Sequence, residues 1–492
     1  MPVTERHDVV VIGAGFAGLG MAIQLCRAGR TDFVVLERAG DLGGTWRDNT
    51  YPGCACDVPS HLYSYSFAPN PGWSRMFAPQ PEIHGYLRDC ARRFGVEPHL
   101  RLRRTVSAAV YDEAAGEWEV HVQGGPDAEV VRCRVLVSAI GALQTPLMPD
   151  LPGLDTFTGR AFHSARWPHD EDLAGRRVAV IGTGASAVQI VPEIARQAAH
   201  LDVYQRTPAW IVPRPDASIS RSTRHRYARH PLAQRLVRGI LYWVLEGRGV
   251  GFTLSPRLTG PMARTARRHL HRQVADPELR ARLTPTYRIG CKRVLISSAF
   301  YPALQRPHVE LVVDGIDAFT ATGIRDRSGI ERPVDTVVFA TGFDLTAHLR
   351  RLRLVGREGR TLEEVWAEEG ANAHLGIMVA GFPNLFLLLG PNTGLGHNSV
   401  LCMIEAQIAF VLQALRTLDR RGARQLDVRP AAQTRSVRRV RRRLTGSVWQ
   451  SGCRSWYLDE HGRNTAMWPG PTPRYWLATR RLRRRDYSMR TT

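Results

Sequence analysis

The feature that most constrains the fold is a strand, a glycine-rich turn and a helix at the start of the chain. An apolar run at residues 9–12 precedes the sequence Gly-Ala-Gly-Phe-Ala-Gly at 13–18, and a helical pattern continues to residue 28. A second apolar run at 33–36 closes a βαβ unit and ends at Glu37. Glycines at this spacing allow a tight turn, close approach to a pyrophosphate and close helix packing, and the acid is placed to bind a ribose. We therefore predict a dinucleotide site.

The same pattern recurs later in the chain with a different ending. A strand at residues 177–181 leads into Gly-Thr-Gly-Ala-Ser-Ala at 182–187, and the next strand, at 201–204, ends in Gln205-Arg206-Thr207 instead of an acid. A cation and a hydroxyl accommodate a 2′-phosphate, whereas an acid pairs with a free 2′-hydroxyl. We therefore predict FAD or NAD at the first site and NADP at the second, with electrons passing from a nicotinamide to a second bound cofactor.

The composition is that of a folded protein with an unusual charge. The 492 residues are 43% hydrophobic and 23% charged, which excludes a disordered or fibrous protein. The net charge is +22, but only Lys292 among the 67 basic residues is a lysine, so the excess follows a general use of arginine. We expect a solvated basic surface and no nucleic-acid partner; attraction to acidic membranes or nucleic acid is the alternative.

The cysteines and the apolar stretches indicate a cytoplasmic protein. The eight cysteines are scattered and form no CxxC pair, so we expect reduced thiols and no bound metal. The first strand begins almost at the N-terminus, so we expect no signal peptide. The most apolar later stretch, residues 239–254, contains Glu246 and Arg248, and we expect no integral membrane segment. The oligomeric state is left open.

Two longer motifs make the sequence similar to one enzyme family. Residues 157–168 match the pattern FxGxxxHxxxW(P/D) at every fixed position. Residues 43–57 match (A/G)GxWxxxx(F/Y)P(G/M)xxxD, and shorter matches lie at 292–293, 340–342 and 455–457. The chain, from Asp8 to about Trp476, therefore resembles the type I Baeyer–Villiger monooxygenases.

The resemblance implies an activity. These enzymes use FAD, NADPH and O₂ to insert one oxygen atom next to a ketone carbonyl, through a C4a-peroxyflavin, and the product is an ester or lactone. A small-molecule ketone and O₂ are thus the expected substrates. The segment 390–398 differs from the version in cyclic-ketone enzymes and is closer to the branch with aryl-ketone oxygenases; the ring size, the aryl preference and the regiochemistry stay open.

The resemblance also implies a fold and its division. The expected class is α/β, with two Rossmann-like dinucleotide-binding domains, for FAD and NADP, and a helical insertion. The expected FAD-binding domain comprises 1–156 and 340–492, the latter with a basic C-terminal tail. The expected NADP-binding domain comprises 169–215 and 288–339, with the arginine-rich helical insertion at 216–287. Residues 157–168 form the fingerprint linker between the domains.

The site residues follow from the two glycine turns and from the resemblance. Arg293 is expected to hold negative charge on the reacting oxygen, and Asp57 to orient and tune the guanidinium. Lys292 is expected at the NADP 2′-phosphate and Trp456 on the nicotinamide ribose. The expected FAD-site residues are Gly13, Gly15, Phe16, Ala17, Gly18, Glu37, Gly44, Thr45, Trp46, Asp57, Tyr63 and Val106. The expected NADP-site residues are Thr183, Gly184, Ala185, Ser186, Ala187, Gln189, Arg206, Thr207, Lys292, Arg293 and Trp456.

Other interpretations of the same residues stay open or are excluded. We interpret His163 and Trp167 of the fingerprint as linkers that couple NADP binding to domain closure, not as proton-transfer groups. A flavin-dependent N- or S-oxygenase on the same scaffold is the alternative enzyme. A basic nucleic-acid- or membrane-binding protein with vestigial nucleotide sites is the alternative class. A disulfide reductase is excluded because Cys54 and Cys56 lack the CxxxxC spacing.

Overall fold

The computed structural model describes residues 3–125, 129–344, 352–453 and 455–491 of the chain. The strands are β1 Val3–Ile12, β2 Phe33–Leu36, β3 Leu100–Arg101, β4 Thr105–Asp112, β5 Glu117–Gln123, β6 Glu129–Ser138, β7 Arg160–His163, β8 Arg177–Ile181, β9 His200–Tyr204, β10 Ile211–Val212, β11 Leu295–Ile296, β12 Val309–Val312, β13 Ile316–Phe319, β14 Gly323–Asp326, β15 Glu331–Pro333, β16 Thr336–Phe339, β17 Arg353–Val355, β18 Leu385–Leu387, β19 Gln425–Val428 and β20 Tyr487–Arg490. The helices are α1 Phe16–Arg27, α2 Thr45–Asp48, α3 Gln80–Arg93, α4 Ala187–Ile194, α5 Arg221–Arg229, α6 Pro231–Thr253, α7 Gly260–Gln273, α8 Pro277–Arg282, α9 Phe300–Ala303, α10 Leu362–Glu369, α11 Val400–Arg421, α12 Pro430–Leu444 and α13 Thr472–Thr479.

The first unit is built on a mixed sheet. Within the described residues its order is β17-β4-β5-β6-β1-β2-β3, and β18 also pairs with β6. Strand β1 is parallel to both β2 and β6, whereas β4, β5 and β6 form an antiparallel meander. The pairing of β17 and β18 with this sheet shows that the chain returns to the first unit after leaving it.

The second unit is a smaller sheet in which all pairs are parallel. Its order is β12-β9-β8-β16-β7. Strands β8, β9 and β16 are mostly apolar and almost wholly buried, as expected for parallel strands covered on both faces. Strand β7 belongs to the fingerprint segment and forms the edge of this sheet, so that segment is an ordered part of the second unit.

A group of helices interrupts the second unit between β10 and β11. Helices α5, α6, α7 and α8 occupy residues 221–282, within the segment in which the sequence predicts a helical insertion. Helix α5 ends at Arg229 and α6 begins at Pro231, whose ring fits the first turn of a helix but not its interior. The predicted α/β class with a helical insertion is confirmed; the domain limits stay predictions.

Helix α11 is the long helix of the first unit. It is the one helix in the described residues that is long and apolar enough to cross a membrane, but 61% of its apolar window is buried in the protein. Ser399 caps its start by accepting a hydrogen bond from the N–H of Leu401, and Gly422 ends it in a left-handed conformation. The helix packs beside α1 and α13, so its apolar face is part of the protein core.

Two sequence expectations are wrong. The C-terminal segment is not a tail: β20 pairs antiparallel with β19, and Tyr487 is buried. The arginines of 480–485 are exposed in the connection before β20. The prediction of a tail rested on these charges and overlooked the alternation of apolar and polar residues that follows them.

The thiols are also not all reduced, because Cys291 and Cys453 form a disulfide across 162 residues of sequence. The other cysteines, Cys26, Cys54, Cys56, Cys90, Cys133 and Cys402, are free.

Candidate active site

The first glycine turn lies between β1 and α1, and two of its positions admit only glycine. Gly13 has a φ of +97°, and a Cβ there would lie 2.8 Å from the carbonyl oxygen of Ala139. A Cβ on Gly18 would lie 1.8 Å from the carbonyl oxygen of Gly13. Gly15 and Gly44 approach each other closely, with 3.1 Å between the Cα of Gly15 and a Cβ built on Gly44. The N-terminus of α1, with Phe16 and Ala17 buried, therefore faces backbone without intervening side chains, which is the arrangement that admits a pyrophosphate.

Glu37 ends β2 beside this turn and is buried. Its carboxylate accepts hydrogen bonds from the backbone N–H of Ala14 at 2.9 Å and of Ala39 at 3.0 Å. The guanidinium of Arg47 donates to the same carboxylate at 2.9 Å. These donors keep the carboxylate at the end of the strand, where an acid binds the ribose of a dinucleotide.

Aromatic side chains of α2 and of the loop after it pack next to the first glycine turn. Thr45 begins this short helix, and Trp46 donates a hydrogen bond from its indole N–H to the hydroxyl of Tyr63 at 3.0 Å. The Tyr63 ring lies edge-on to Phe16, with 5.1 Å between ring centroids, and burial raises its pKa far above the ordinary value, so the phenol stays neutral. Val106, on β4, is half-buried and packs against a cluster of buried residues of the first sheet that includes Ile12, Leu36 and Val122.

Asp57 and Arg293 form an ion pair between the two units. The guanidinium of Arg293 donates from Nε to Oδ2 of Asp57 at 2.8 Å, although 236 positions separate the residues in sequence. The negative charge of Asp57 raises the pKa of Arg293 further, against the effect of burial, so this side chain keeps its proton. The exposed fraction of the two side chains is 32% and 27%, so the pair is accessible from solvent. The result is a fixed cation that a reactant can reach.

The second glycine turn lies between β8 and α4. Gly182 has a φ of +110°, and a Cβ there would lie 2.6 Å from the carbonyl oxygen of Ala340. Open space surrounds Gly184, since no atom lies within 4 Å of its built Cβ position. The hydroxyl of Thr183 donates to the carbonyl oxygen of Thr207 at 3.4 Å, which joins this turn to the segment after β9. Ala185, Ser186 and Ala187 lead into α4, so its N-terminus faces this open space.

Lys292 and Arg206 form a cationic pair near this turn without acidic partners. Neither makes a salt bridge with any residue that the structure describes. Burial lowers the pKa of Lys292, and the nearby charge of Arg206 lowers it further. The ammonium lies 5.0 Å from the centre of the Tyr287 ring. Two uncompensated cations near one another favour a multiply charged anion, and the 2′-phosphate of NADP has that chemistry.

Gln189 connects the helix after the second glycine turn to the loop that carries Asp57. From α4 its carbonyl oxygen accepts hydrogen bonds from the hydroxyl of Tyr51 and the N–H of Ala55, both at 3.2 Å. Its amide N–H donates to the carbonyl oxygen of Ala55 at 3.1 Å. The loop that carries Asp57 is therefore packed against the helix that follows the second glycine turn.

The segment that contains Trp456 approaches Arg293 through Tyr457, the next residue in the chain. Trp456 itself is 49% exposed and contacts the ring of Tyr457. Tyr457 is buried and close enough to Arg293 for the guanidinium to lower the pKa of its phenol, while burial raises that pKa to about 12. Tyr457 belongs to the segment 455–457 that matches the family, and the motif alone predicts no role for it. The disulfide between Cys291 and Cys453 joins this segment to the one that carries Lys292 and Arg293.

His163 lies away from the ion pair, at the end of β7. It is buried, and its Nδ1 accepts a hydrogen bond from the N–H of Ala165 at 3.1 Å. Burial lowers its pKa to about 4, so the imidazole is neutral at physiological pH. Its ring lies edge-on to Phe343, and Trp167 lies edge-on to Phe162. These contacts favour the linker interpretation, which stays a prediction.

Comparison with known proteins decides the family. Residues 6–246 match the family model for flavin-binding monooxygenase-like proteins. The chain is 49% identical to a Baeyer–Villiger monooxygenase of Pseudomonas aeruginosa, over 100% of this chain and 93% of that protein. The chain belongs to the Baeyer–Villiger monooxygenases.

Solved structures of monooxygenases share the whole fold. An oxidized steroid monooxygenase bound to NADP is 33% identical, with a TM-score of 0.88 over 99% of this chain and 100% of that one. OTEMO in complex with FAD and NADP is 30% identical, with a TM-score of 0.86 over 98% of this chain and 99% of that one. This Baeyer–Villiger monooxygenase has the residues that such cofactors need: two glycine turns at helix N-termini, an acid at the first and unpaired cations at the second. The predicted cofactors, FAD and NADPH, are confirmed.

Proposed function

We propose that this Baeyer–Villiger monooxygenase converts a ketone, O₂, NADPH and a proton into an ester or lactone, water and NADP⁺. The observation that carries the proposal is the Asp57–Arg293 ion pair, which joins the loop after the first glycine turn to the segment that carries Lys292. The residues proposed for each cofactor are those of the two site lists given above. These side chains fit the reaction, because its steps need charge and orientation from the protein.

The protein's part in this reaction is to hold charge and to orient the reactants. Bound FAD supplies the redox chemistry, because it accepts hydride from NADPH and passes electrons to O₂. We propose that Arg293 stabilises negative charge on the oxygen that attacks the ketone carbonyl and on the adduct that rearranges. A guanidinium suits this role because it does not lose its proton, and Asp57 holds it in one orientation. Lys292 and Arg206 would bind the 2′-phosphate and place the nicotinamide.

The substrate and the location are narrower proposals. We propose an aryl ketone as the substrate, on the basis of the segment 390–398, and a cytoplasmic enzyme. Buried Glu246 of α6 accepts a hydrogen bond from the side-chain amide of Asn398 at 2.6 Å, and its Oε1 lies 3.5 Å from Nε2 of the buried His397, so the end of that segment is held against α6. Variation in the half-buried remainder of the segment would then change substrate size without changing the oxygenation residues.

The test is a flavin spectrum followed by product analysis. The purified protein is expected to show FAD absorbance that NADPH bleaches in the absence of oxygen, with NADH less effective. On addition of O₂ and an aryl ketone, gas chromatography should show the ester. A colourless protein that FAD cannot reconstitute would contradict the proposal. Oxidation of a thioether or amine, with no ester from any ketone, would instead favour an N- or S-oxygenase.

A further inference from the structure

Helix α6 exposes a continuous apolar stripe. The stripe recurs every three or four residues, so its members lie on one side of the helix. Each of them has between 50% and 75% of its surface exposed. Its members are Leu232, Leu236, Ile240, Trp243 and Val244. Scattered apolar residues on a surface are ordinary, but a run of this length on one helix face marks an interaction site.

The opposite side of α6 is firmly held by the protein. Gln234 donates to the carbonyl oxygen of Asn70 at 2.6 Å, and Arg238 donates to the carbonyl oxygen of Ser64 at 3.0 Å. Glu246 is buried and accepts hydrogen bonds from Asn398 and from the hydroxyl of Thr472, both at 2.6 Å. The apolar stripe is therefore exposed because the polar side of the helix is the one that is docked.

The apolar surface extends beyond α6. Leu254 and Leu258, just after the helix, are more than half exposed. Helix α13 begins beside α6, since the hydroxyls of Tyr242 and Thr472 lie 2.7 Å apart. One turn further along α13, Trp476 is half exposed, and the guanidinium of Arg480 lies over its ring at 5.0 Å. Exposed tryptophans and leucines therefore occur on both helices.

The charge around this surface is of one sign. Between Asp216 and Asp276 the sequence contains twelve arginines and one acid, Glu246, which is buried. Arg235 and Arg248 are exposed on α6 itself, next to the apolar stripe. Two such faces would repel each other, which disfavours a second copy of this chain as the partner. A nucleic acid would use the arginines but leave the apolar stripe in water.

We propose that this face of α6 docks peripherally onto a lipid bilayer that contains anionic phospholipids. An amphipathic helix of this kind lies in the plane of the interface, with its apolar side chains below the headgroups. Arginines at its edges pair with the phosphates, and tryptophan is well suited to the interface because its ring is apolar and its N–H polar. The proposal does not depend on the proposed function, because no residue of the oxygenation or cofactor sites belongs to this face.

The test is sedimentation of the FAD-loaded enzyme with vesicles. We expect binding to vesicles of equal phosphatidylcholine and phosphatidylglycerol, and little binding to phosphatidylcholine alone. The double variant Leu236→Ser/Trp243→Ser should lower the partition coefficient at least about tenfold, as expected when buried apolar side chains are removed. The variant Arg235→Gln/Arg248→Gln should also bind less. Flavin absorbance and the rate of flavin reduction by NADPH should not change in either variant.

The matched control is Val313→Ser/Ile330→Ser, which removes two exposed apolar side chains from the second unit, outside the insertion. It should bind vesicles as the wild type does. Three results would overturn the proposal. The first is no binding of the wild type to anionic vesicles, and the second is equal binding by the Leu236→Ser/Trp243→Ser variant, which would show attraction by charge alone. The third is a dimer in sedimentation velocity that this variant converts to a monomer, which would assign the face to a second copy.

Discussion

At the scale of single residues, the chain's lone lysine is the clearest candidate for a role that an arginine would not fill. Lys292 lies near Arg206, and no described carboxylate pairs with either cation. Lysine is a compact point charge on a flexible stem, whereas arginine presents a planar fork of donors. In a chain that otherwise uses arginine throughout, this position has kept the smaller cation, next to the residue that we propose for oxygenation.

Replacement of Lys292 by alanine tests the proposed 2′-phosphate contact. A charge-assisted contact contributes about 1.5–3 kcal/mol, so the KM for NADPH should rise roughly tenfold to a hundredfold or more. The KM for NADH, which lacks the phosphate, should stay nearly unchanged. Steady-state kinetics with both nucleotides measures this, and Arg264→Ala, which removes an exposed charge from α7, is the control. Equal losses with both nucleotides would show that the lysine has another role.

The buried His163 predicts a specific pH dependence of stability. Its folded pKa is about 4, below the ordinary value of 6.5, so the unfolded chain takes up this proton first as the pH falls. The histidine therefore costs no stability above pH 6.5 and lowers the free energy of unfolding by about 2 kcal/mol at pH 5. Asp427, whose pKa burial raises to about 6, acts in the opposite direction, so only a comparison of variants isolates His163.

Urea titrations at pH 7 and pH 5 make that comparison. His163→Gln should lose less stability than the wild type between these pH values, by about 2 kcal/mol. His461→Gln removes an exposed histidine and should behave as the wild type does. If His163→Gln shows the same pH dependence as the wild type, the folded protein protonates this imidazole as readily as the unfolded chain does, which would contradict the lowered pKa.

At the scale of elements, the features that could be predicted from the sequence are those whose residues lie close together along the chain. Each glycine turn and its flanking strands lie within about 30 residues, a length typical of a βαβ unit. The tight turn requires glycines at this spacing for steric reasons, and the spacing can be read directly from the sequence. The contact of Asp57 with Arg293 spans 236 positions, and only the family resemblance predicted it. The Cys291–Cys453 disulfide and the pairing of β20 with β19 also join residues that are far apart in sequence, and nothing local indicates either partner.

The disulfide is predicted to stabilise the segment that carries both proposed site cations. It closes a loop of 162 residues, for which loss of chain entropy in the unfolded state predicts a stabilisation of up to about 5 kcal/mol. Cys453→Ser should lower the free energy of unfolding in urea by about 3–5 kcal/mol. Dithiothreitol should lower that of the wild type by a similar amount and leave the variant unchanged.

Cys26→Ser is the matched control for this experiment, because Cys26 is a free, partly exposed cysteine. It should stay sensitive to dithiothreitol, as the wild type is. Peptide mapping without reduction should show one cross-linked pair, from the peptides that contain residues 291 and 453. If wild-type stability does not respond to dithiothreitol, the two thiols are not joined in solution.

At the scale of the whole molecule, the structure places the proposed oxygenation residues where the two units meet. Asp57 belongs to a loop of the first unit, Arg293 to a segment of the second, and Gln189 holds that loop against the second unit's first helix. The residues proposed for FAD and those proposed for NADP therefore meet at this junction. Reduction and oxygenation would both depend on it, but only oxygenation would need the guanidinium as a fixed charge.

The most direct test of this account is the ratio of ester formed to NADPH consumed, in the wild type and in Arg293→Ala. FAD should still bind to the variant, and NADPH should still reduce it, because the glycine turns are unchanged. Ester formation should fall by at least about 10²–10³-fold, the loss seen when one stabiliser of an oxyanion is removed, and the consumed NADPH should appear as hydrogen peroxide. Arg293→Lys should rescue poorly, because a point charge cannot make the same paired contacts. A ratio in Arg293→Ala equal to that of the wild type would contradict the assignment of Arg293 to oxygenation.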